Sequence, residues 1–329
     1  MKDVKDSIAG TSSEDVLGKN IRQRKFNWKL YFPYFLLGGM VLVFTLINGN
    51  FLSLNNLAGI MKQTGCVSII AFGMIFIITA GEIDLSVGST LGLTGLVAST
   101  AITNWGFNYI TASLIALGLG LVIGLLNGLM VAQFKLTAFL ATLATANVVR
   151  GVALTITSRM AVVVYDQKFL NLWGSGDFLP GVPRILIWVA ITFVVMGFLY
   201  HYSPFGNHVR ATGGNRVAAQ YTGIKTKRVL ISSFAFTSVL ASIAGLIMVT
   251  RLGVGRPETG TGYELDSIAA VVLGGTSMSG GSGTLVGAII GSLIMGVIIN
   301  GLTILGLDAN YQQIVKGLII VLAISINRN

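Results

Sequence analysis

Residues 56–103 decide the fold: NLAGIMKQTGCVSIIAFGMIFIITAGEIDLSVGSTLGLTGLVASTAIT. The stretch contains two long apolar runs, 56–80 and 86–103, and its acidic residues, Glu82 and Asp84, both lie in the short segment between them. A helix needs about 20 mostly apolar residues to cross the hydrocarbon core of a bilayer. Each run is close to that length, so the stretch predicts two membrane-spanning helices joined by a short polar link.

The whole chain has the composition of a membrane protein. Hydrophobic residues make up 53% of its 329 positions and charged residues only 10%, against roughly 25% charged in an ordinary soluble domain. A water-soluble fold of this size could not cover its surface with so few charges. The chain also has 42 glycines, which let helix backbones approach closely in lipid. The composition therefore predicts an all-α integral membrane protein.

Further apolar runs predict about ten transmembrane helices when they are divided at Gly, Pro and Asn clusters. The approximate spans are 30–48, 56–80, 86–103, 109–132, 137–157, 184–202, 229–250, 264–278, 284–305 and 309–326. The eighth is short and adjoins the glycine-rich stretch 274–283, which cannot hold a regular helix cheaply. We therefore expect a broken or re-entrant element there.

The basic residues predict the orientation. The net charge of +10 lies in segments between apolar runs rather than on one amphipathic face, which fits membrane topology better than nucleic-acid binding. Two such segments are the N-terminal tail 1–29, with Lys19, Arg22, Arg24, Lys25 and Lys29, and the loop 203–228, with Arg210, Arg216, Lys225, Lys227 and Arg228. Both should be cytoplasmic, and ten spans return the C-terminus with Arg328 to the same side. We therefore predict a cytoplasmic tail, 1–29, followed by one transmembrane domain, 30–329, with connections 158–183 and 251–263 outside.

The chain offers no pattern for covalent or metal chemistry. It has no G-x-x-x-x-G-K-[ST] motif, so any ATP must be hydrolysed by another subunit. Cys66 is the single cysteine, and His201 and His208 have no Cys, Asp or Glu at metal-ligand spacing around them. We expect no catalytic residue, metal or cofactor in this chain, and an intramembrane enzyme is not favoured.

Two acids between membrane spans are the most informative polar residues. Carboxylates near hydrocarbon are costly and are often functional. Asp84, with its neighbour Ser86, either belongs to a translocation path or packs there, with Asp84 capping the third helix while Glu82 faces water.

Other polar residues lie inside predicted spans. Arg150, beside Asn147, either lines a route or extends to the membrane interface. An unpaired amide facing lipid costs roughly 1–3 kcal/mol or more, so Asn127, Asn147 and Asn300 should face the bundle interior. There they either hydrogen-bond between helices or line the path.

Several motifs carry a family resemblance. They are GEIDLSVG at 81–88, GTGYELD at 260–266, IAAVVLGGTS at 268–277 and YQQIVK at 311–316. In this order they resemble permease subunits in the ribose and simple-sugar branch of ABC importers, within the branched-chain amino acid/ribose permease superfamily. The resemblance covers about residues 30–328. It implies a ten-helix, type II importer-like permease that forms a homodimer in the bacterial inner membrane, with a cytoplasmic ATPase subunit that uses ATP and Mg and an extracytoplasmic sugar-binding protein.

The loop 203–228 is similar to the family's coupling segment, whose short helix docks into the ATPase. The residues that carry this likeness and its implied role are Gly213, Gly214, Asn215, Arg216, Ala218, Ala219 and Gly223. We expect Gly213 and Gly214 to bend the chain ahead of the short helix. The family has a glutamate where this chain has Arg216, which we expect to meet an acidic wall of the partner.

The leading hypothesis is a permease subunit that translocates ribose or a similar monosaccharide. Its outward face should engage the binding protein partly through Arg251 and Arg256, which flank an exposed Gly- and Pro-rich loop. The alternatives are a secondary transporter that uses Asp84 or Glu82 as ion carriers, and an ABC permease for another small polyol or a furanosyl signal molecule.

Overall fold

The computed structural model describes residues 28–327, of which residues 33–327 form one compact unit. The side chains of the predicted basic tail, and Arg328, lie outside the residues that it describes. The helices are α1 (Trp28–Ile47), α2 (Leu54–Thr79), α3 (Val87–Thr103), α4 (Tyr109–Ala132), α5 (Ala138–Ile156), α6 (Gln167–Trp173), α7 (Ile185–Gly197), α8 (Pro204–Gly214), α9 (Arg216–Tyr221), α10 (Thr226–Leu252), α11 (Tyr263–Leu273), α12 (Leu285–Ile304) and α13 (Ala309–Asn327). A π-helical turn, Phe198–Tyr202, continues α7, and the strands are β1 (Val162–Val163), β2 (Asp177–Leu179), β3 (Val182–Pro183) and β4 (Val254–Gly255).

Each predicted span coincides with a helix of this part of the chain. Six helical segments of the described residues are long and apolar enough to cross a membrane: α2, α4, α5, α7 with its π-helical turn, α10 and α12. Two shorter apolar helical segments are Tyr31–Ile47 and Val87–Thr103. The structure therefore supports a helical membrane protein, and the count of ten crossings stays a prediction.

Polar side chains start several helices. Ser53, Asn108 and Thr284 each accept a hydrogen bond from a backbone N–H in the first turn of the helix that follows. A side-chain oxygen in this position satisfies one of the N–H groups that a helix end leaves without a partner. These caps explain why α2, α4 and α12 begin where they do.

Helix α10 lies at the centre and packs against α2, α3 and α4. Glycines make the contact with α4 possible. A Cβ atom on Gly120 would lie 1.8 Å from Ser242 Oγ, and Cβ atoms on Gly124 and Gly128 would each lie 2.6 Å from backbone atoms of α10. Glycines four residues apart line one face of a helix, so the two backbones approach as closely as small-residue interfaces allow in membranes.

The connection between α10 and α11 packs against other parts of the chain. Its first residues pair with the 158–183 connection, since β4 forms an antiparallel ladder with β1. The chain then runs along α3, because Gly255 lies against Ser99 and Gly260 lies against Gly88. Ser99 and Gly88 are eleven residues apart in α3, which corresponds to about 16 Å along the helix axis. Residues 256–262, which we call the re-entrant segment, therefore pack along α3, and the location of the 251–263 connection relative to the membrane stays a prediction.

Helix α11, the eighth predicted span, is a half-length element. Its 11 residues rise about 16 Å, roughly half of the 30 Å hydrocarbon core. It ends at Leu273, and the glycine-rich stretch that follows contains no helix before α12 begins at Leu285. The structure thus agrees with the expected broken element.

Candidate functional site

A glycine contact joins the ends of α2 and α8. A Cβ atom on Gly213 would lie 1.7 Å from the carbonyl oxygen of Thr79 and 2.8 Å from Gly281 N. The same carbonyl accepts a hydrogen bond from Gly281 N at 2.8 Å. No side chain fits between these backbones, so a glycine is required at 213. We call Thr79, Glu82, Gly213, Arg216 and Gly281 the glycine junction.

An ion pair closes the glycine junction. Arg216 Nη2 lies 2.7 Å from Glu82 Oε1, and the side chains of Arg216 and Glu82 are 39% and 16% exposed. The same nitrogen is 3.5 Å from the carbonyl oxygen of Ala80. Sequence analysis gave Glu82 facing water as one alternative and did not predict that it pairs with Arg216. The contact of Arg216 with an acidic wall of a partner stays a prediction.

The bend before the short helix α9 lies at Asn215. Gly213 and Gly214 are the last residues of α8, and Asn215 is extended, with φ −157° and ψ 103°. Its side chain accepts a hydrogen bond from Ala218 N at 2.9 Å and so caps α9. The expectation that the two glycines bend the chain is therefore wrong, because an extended asparagine both breaks the helix and starts the next one.

Helix α9 has a buried face and an exposed one. Ala219 is only 4% exposed, whereas Val217 and Tyr221 are 62% and 88% exposed. Gly223, with φ +86°, ends the element. Sequence analysis singled out the alanines and missed Val217 and Tyr221, although their spacing of four residues places both on one helix face.

Asp84, Ser86 and Asn127 are fully buried together. Asp84 Oδ1 accepts hydrogen bonds from Ser86 N at 2.8 Å and from Ser86 Oγ at 2.7 Å, and Asn127 Nδ2 donates to Ser86 Oγ at 2.8 Å. Ser86, not Asp84, is the N-cap residue of α3. Burial raises the pKa of Asp84, which lies in the link outside the spans, to about 6, against the lowering effect of the hydrogen bonds from Ser86. These residues pack the 80–86 link against α4.

The other two intramembrane asparagines differ from each other. Asn300 and Asn56 exchange hydrogen bonds, with Nδ2 to Oδ1 distances of 3.1 and 2.9 Å, and so join α12 to α2. Asn147 is exposed, and its Nδ2 donates to the carbonyl oxygen of Leu143 in its own helix. Asn300 therefore fits the helix-packing alternative, whereas the prediction that Asn147 faces the bundle interior is wrong, because its side chain is exposed on the surface of α5.

A second glycine contact lies where the re-entrant segment meets α3. A Cβ atom on Gly88 would lie 2.0 Å from Glu264 Oε2 and 2.4 Å from the carbonyl oxygen of Gly260. A Cβ atom on Gly92 would lie 2.4 Å from the carbonyl oxygen of Thr259. The glycines of α3 therefore make room for a carboxylate and for irregular backbone at membrane depth, which is tolerated where it is buried in protein or lines a cavity.

Arg150 of α5 satisfies the carbonyl groups of this segment. Its Nη1 donates to the carbonyl oxygen of Pro257 and, at 3.0 Å, to that of Thr259. The side chain therefore packs against residues 256–262 of the same chain. We call Gly88, Gly92, Arg150, Gly260 and Glu264 the re-entrant junction.

A cavity of about 300 Å³ opens beside the re-entrant junction. Its polar lining comes from α3, α5 and the start of α11, and consists of Ser89, Asn147, Arg150, Thr261 and Glu264. Sequence analysis proposed Asn147 and Arg150 but missed the other three. Thr261 and Glu264 lie in the GTGYELD motif and Ser89 directly follows GEIDLSVG, which was the available signal.

A partly buried ion pair joins α11 to α13. Lys316 Nζ of α13 lies 2.7 Å from Asp266 Oδ2, and the Asp266 side chain is 6% exposed. Lys316 and Asp266 lie in the YQQIVK and GTGYELD motifs. Their pairing was not predicted, because 50 residues separate them.

Arg251 and Arg256 are both exposed, as a docking role requires. Among the described residues, no group of three or more His, Cys, Asp or Glu side chains could hold a metal ion. Cys66 is buried with a free thiol.

Comparisons with known proteins assign the chain to a family. Residues 56–324 match the family described as the branched-chain amino acid transport system permease component. The ribose import permease of Escherichia coli K12 is 40% identical over 88% of this chain and 90% of its own length, and that of Bacillus subtilis is 39% identical over 90% and 92%. The xylose transport system permease of Haemophilus influenzae is 34% identical over 85% and 90%. No solved structure matches the chain.

The match covers most of the helical chain, including the glycine junction, the re-entrant segment and α11. The chain belongs to the permease component family of branched-chain amino acid transport systems, and it is a membrane permease subunit rather than an enzyme.

Proposed function

We propose that this chain is the permease subunit of an ATP-driven importer that carries a monosaccharide, with ribose as the first candidate, across the bacterial inner membrane. The observation that carries the proposal is similarity over nearly the whole chain to permeases named for ribose and xylose. The ion-coupled alternative is less favoured, because Glu82 is paired with Arg216 and Asp84 is buried among packing contacts.

We also propose the assembly that the family resemblance implies. Two copies of the chain form the permease, with both termini in the cytoplasm. The glycine junction and α9 face the cytoplasmic ATPase subunit, which binds ATP and Mg²⁺. The extracytoplasmic sugar-binding protein docks on the opposite face, where Arg251 and Arg256 offer guanidinium groups to its carboxylates.

The exposed face of α9 is the contact with the ATPase. Val217 and Tyr221 are large apolar side chains, exposed on a helix whose other face is packed. An amphipathic helix commonly places such a pair, four residues apart, into an apolar groove of its partner. Gly213, Gly214, Asn215, Arg216, Ala218, Ala219 and Gly223 shape and anchor the segment, and Val217 and Tyr221 make the contact.

Reconstituted transport tests the function. We expect proteoliposomes with this chain, its ATPase and its binding protein to accumulate D-ribose when ATP is enclosed with the ATPase. Vanadate should stop uptake, and an ionophore that dissipates ion gradients should leave it unchanged. Uptake that continues without ATP and collapses with the ionophore would instead support a secondary transporter.

Crosslinking tests the contact. A cysteine replacing Val217 or Tyr221, with Cys66 changed to Ala, should crosslink to the ATPase. Ala219→Cys is the matched control, because this buried position should not react. Tyr221→Ala should lower ATP-driven uptake about thirtyfold at unchanged melting temperature, since aromatic hot spots often contribute about 2 kcal/mol to an interface. Crosslinking at 219 but not at 217 or 221 would reverse the assigned faces.

A further inference from the structure

The exposed surface of α5 carries a polar stripe. Asn147, Gly151 and Thr155 are exposed and lie four residues apart, so they share one face of the helix. Val148 and Val152 are exposed on the neighbouring face, at 66% and 43%. An amide or hydroxyl facing hydrocarbon is costly, whereas valine is suited to it. The polar face of α5 is therefore directed toward water or protein, and the valine face toward lipid.

The cavity beside this stripe contains two opposite charges that attract each other without forming a direct ion pair. Arg150 and Glu264 both line it, yet they are not among the ion pairs within 4.0 Å that the described residues form. Backbone groups hold them apart, because Arg150 donates to the carbonyl of Thr259 and Glu264 Oε1 accepts from Gly262 N at 3.1 Å. Gly88 leaves room for the other carboxylate oxygen.

The remaining polar groups extend the range of donors and acceptors. Asn147 makes its hydrogen bond through Nδ2 to its own helix, and Oδ1 has no partner in the described part of the chain. Ser89 and Thr261 add hydroxyl groups from α3 and the re-entrant segment. A carboxylate only accepts, a guanidinium only donates, and hydroxyl and amide groups complement both.

We propose that this cavity is a transit site for a neutral polyhydroxyl ligand, contacted by Ser89, Asn147, Arg150, Thr261 and Glu264. The inference rests on the proposed sugar import and names the residues that the sugar meets within the membrane. Each sugar hydroxyl is both donor and acceptor, so neighbouring hydroxyls match a guanidinium and a carboxylate held side by side. The cavity volume falls at the lower end of small-molecule sites, roughly 300–1,000 Å³.

The charges select against other ligands. A phosphorylated or carboxylated ligand would gain from Arg150 but would be repelled by Glu264 in the same cavity. A metal ion would find one carboxylate and a competing guanidinium. A neutral ligand satisfies both groups without adding a charge at membrane depth.

Transport by variants of two neighbouring residues, Asn147 and Val148, tests the site. Asn147→Ala should lower the initial rate of D-ribose uptake about fivefold, because one hydrogen bond is worth about 1 kcal/mol. Its melting temperature should stay unchanged. Val148→Ala, on the lipid-facing side, should transport like wild type. Glu264→Gln, which keeps the shape but removes the charge, should also slow uptake.

Thiol labelling gives a readout that does not depend on turnover rates. In a chain with Cys66→Ala, Asn147→Cys should react with a hydrophilic thiol reagent and Val148→Cys should not. D-ribose, added with its binding protein and ATP, should slow the reaction at 147.

The outcomes separate the two proposals. Unchanged uptake in Asn147→Ala, or equal labelling at 147 and 148, overturns the transit site while ATP-driven uptake by the wild-type chain still supports the function. Loss of melting temperature in both Asn147→Ala and Glu264→Gln would assign the residues to packing and would also overturn the site. Wild-type complexes that take up no monosaccharide with ATP would overturn both.

Discussion

The glycine junction and the re-entrant junction are packed in the same way but differ in how their charged side chains are arranged. In each, a helix glycine lies against irregular backbone so closely that a Cβ atom would overlap it, at Gly213 in one and Gly88 in the other. Their charges differ. Glu82 and Arg216 pair directly, whereas Arg150 and Glu264 bond to backbone and keep a cavity between them. Close packing of glycines alone therefore does not indicate a translocation path for the sugar. The distinguishing feature is whether the charged groups satisfy each other.

The largest effect is expected at the ion pair that anchors α11 behind the re-entrant junction. Lys316→Met leaves the carboxylate of Asp266, on a side chain only 6% exposed, without its cation. Breaking a buried pair in this way costs roughly 3–5 kcal/mol. We expect a large fall in melting temperature in detergent and poor membrane yield.

The double variant Asp266→Asn with Lys316→Met is the control. Because it removes both charges, it should recover much of the lost stability. If the double variant is as unstable as the sum of the two single variants, the pair contributes no coupling and α11 is held by apolar packing.

The next largest effect is expected on the pH dependence of stability, through Asp84, which lies in the link between the two junctions. Its pKa is raised from 3.8 to about 6 by burial, so between these values the folded state holds a proton that the unfolded chain has lost. Stability should therefore fall as pH rises from about 4 to 6 and level off above. Asp84→Asn should flatten this part of the melting-temperature profile. A wild-type profile that rises over the same interval would contradict the assigned direction.

Much of this architecture was predictable from sequence, because hydrophobic runs and short motifs are local patterns. Residues 81–88, 260–266 and 311–316 were identified as informative before their contacts were known. The pairings were not predictable. Glu82 meets Arg216 across 134 residues and Arg150 meets Pro257 across 107, and such contacts depend on how the helices pack.

The failures share a physical cause. The contacts of the loop 251–263 were missed because its polarity alone predicts an external connection, whereas Arg150 and the glycines of α3 satisfy and accommodate its backbone against the helices. Likewise, Gly213 and Gly214 in the coupling segment predicted a bend, whereas both end α8 and Gly213 makes a close contact between α8 and α2. A glycine in a sequence signals missing side-chain volume without telling whether a turn or a neighbour requires it.

A smaller effect should separate two adjacent glycines of α8. Gly213→Ala places a Cβ atom against the carbonyl of Thr79, and overpacking of this kind costs about 1–3 kcal/mol. Gly214→Ala meets nothing within 4 Å and should be neutral or slightly stabilising. Melting temperatures and transport rates of the two variants check the contrast. Equal behaviour of both would mean that the glycine junction relaxes easily.

The smallest change in stability, and the sharpest test of the comparison, is at the Glu82–Arg216 pair. Both side chains are partly exposed, so the pair should contribute only about 0.2–1 kcal/mol to folding. Its effect on transport should be larger, because the pair ties α9 to the link between α2 and α3. Glu82→Gln should therefore loosen this tie and lower the uptake driven by each ATP, with little change in melting temperature.

The charge exchange Glu82→Arg with Arg216→Glu decides whether the pair itself matters. Arg216→Glu alone places two carboxylates together and should impair uptake, whereas the double variant restores opposite charges and should recover most of it. The same exchange at Arg150 and Glu264 should not restore transport, because those groups bond to fixed carbonyl and N–H partners that a reversed charge cannot satisfy. Recovery at both junctions would mean that the re-entrant junction is also a simple ion pair. Recovery at neither would mean that Arg216 acts on a group outside this chain, as an arginine facing an acidic partner would.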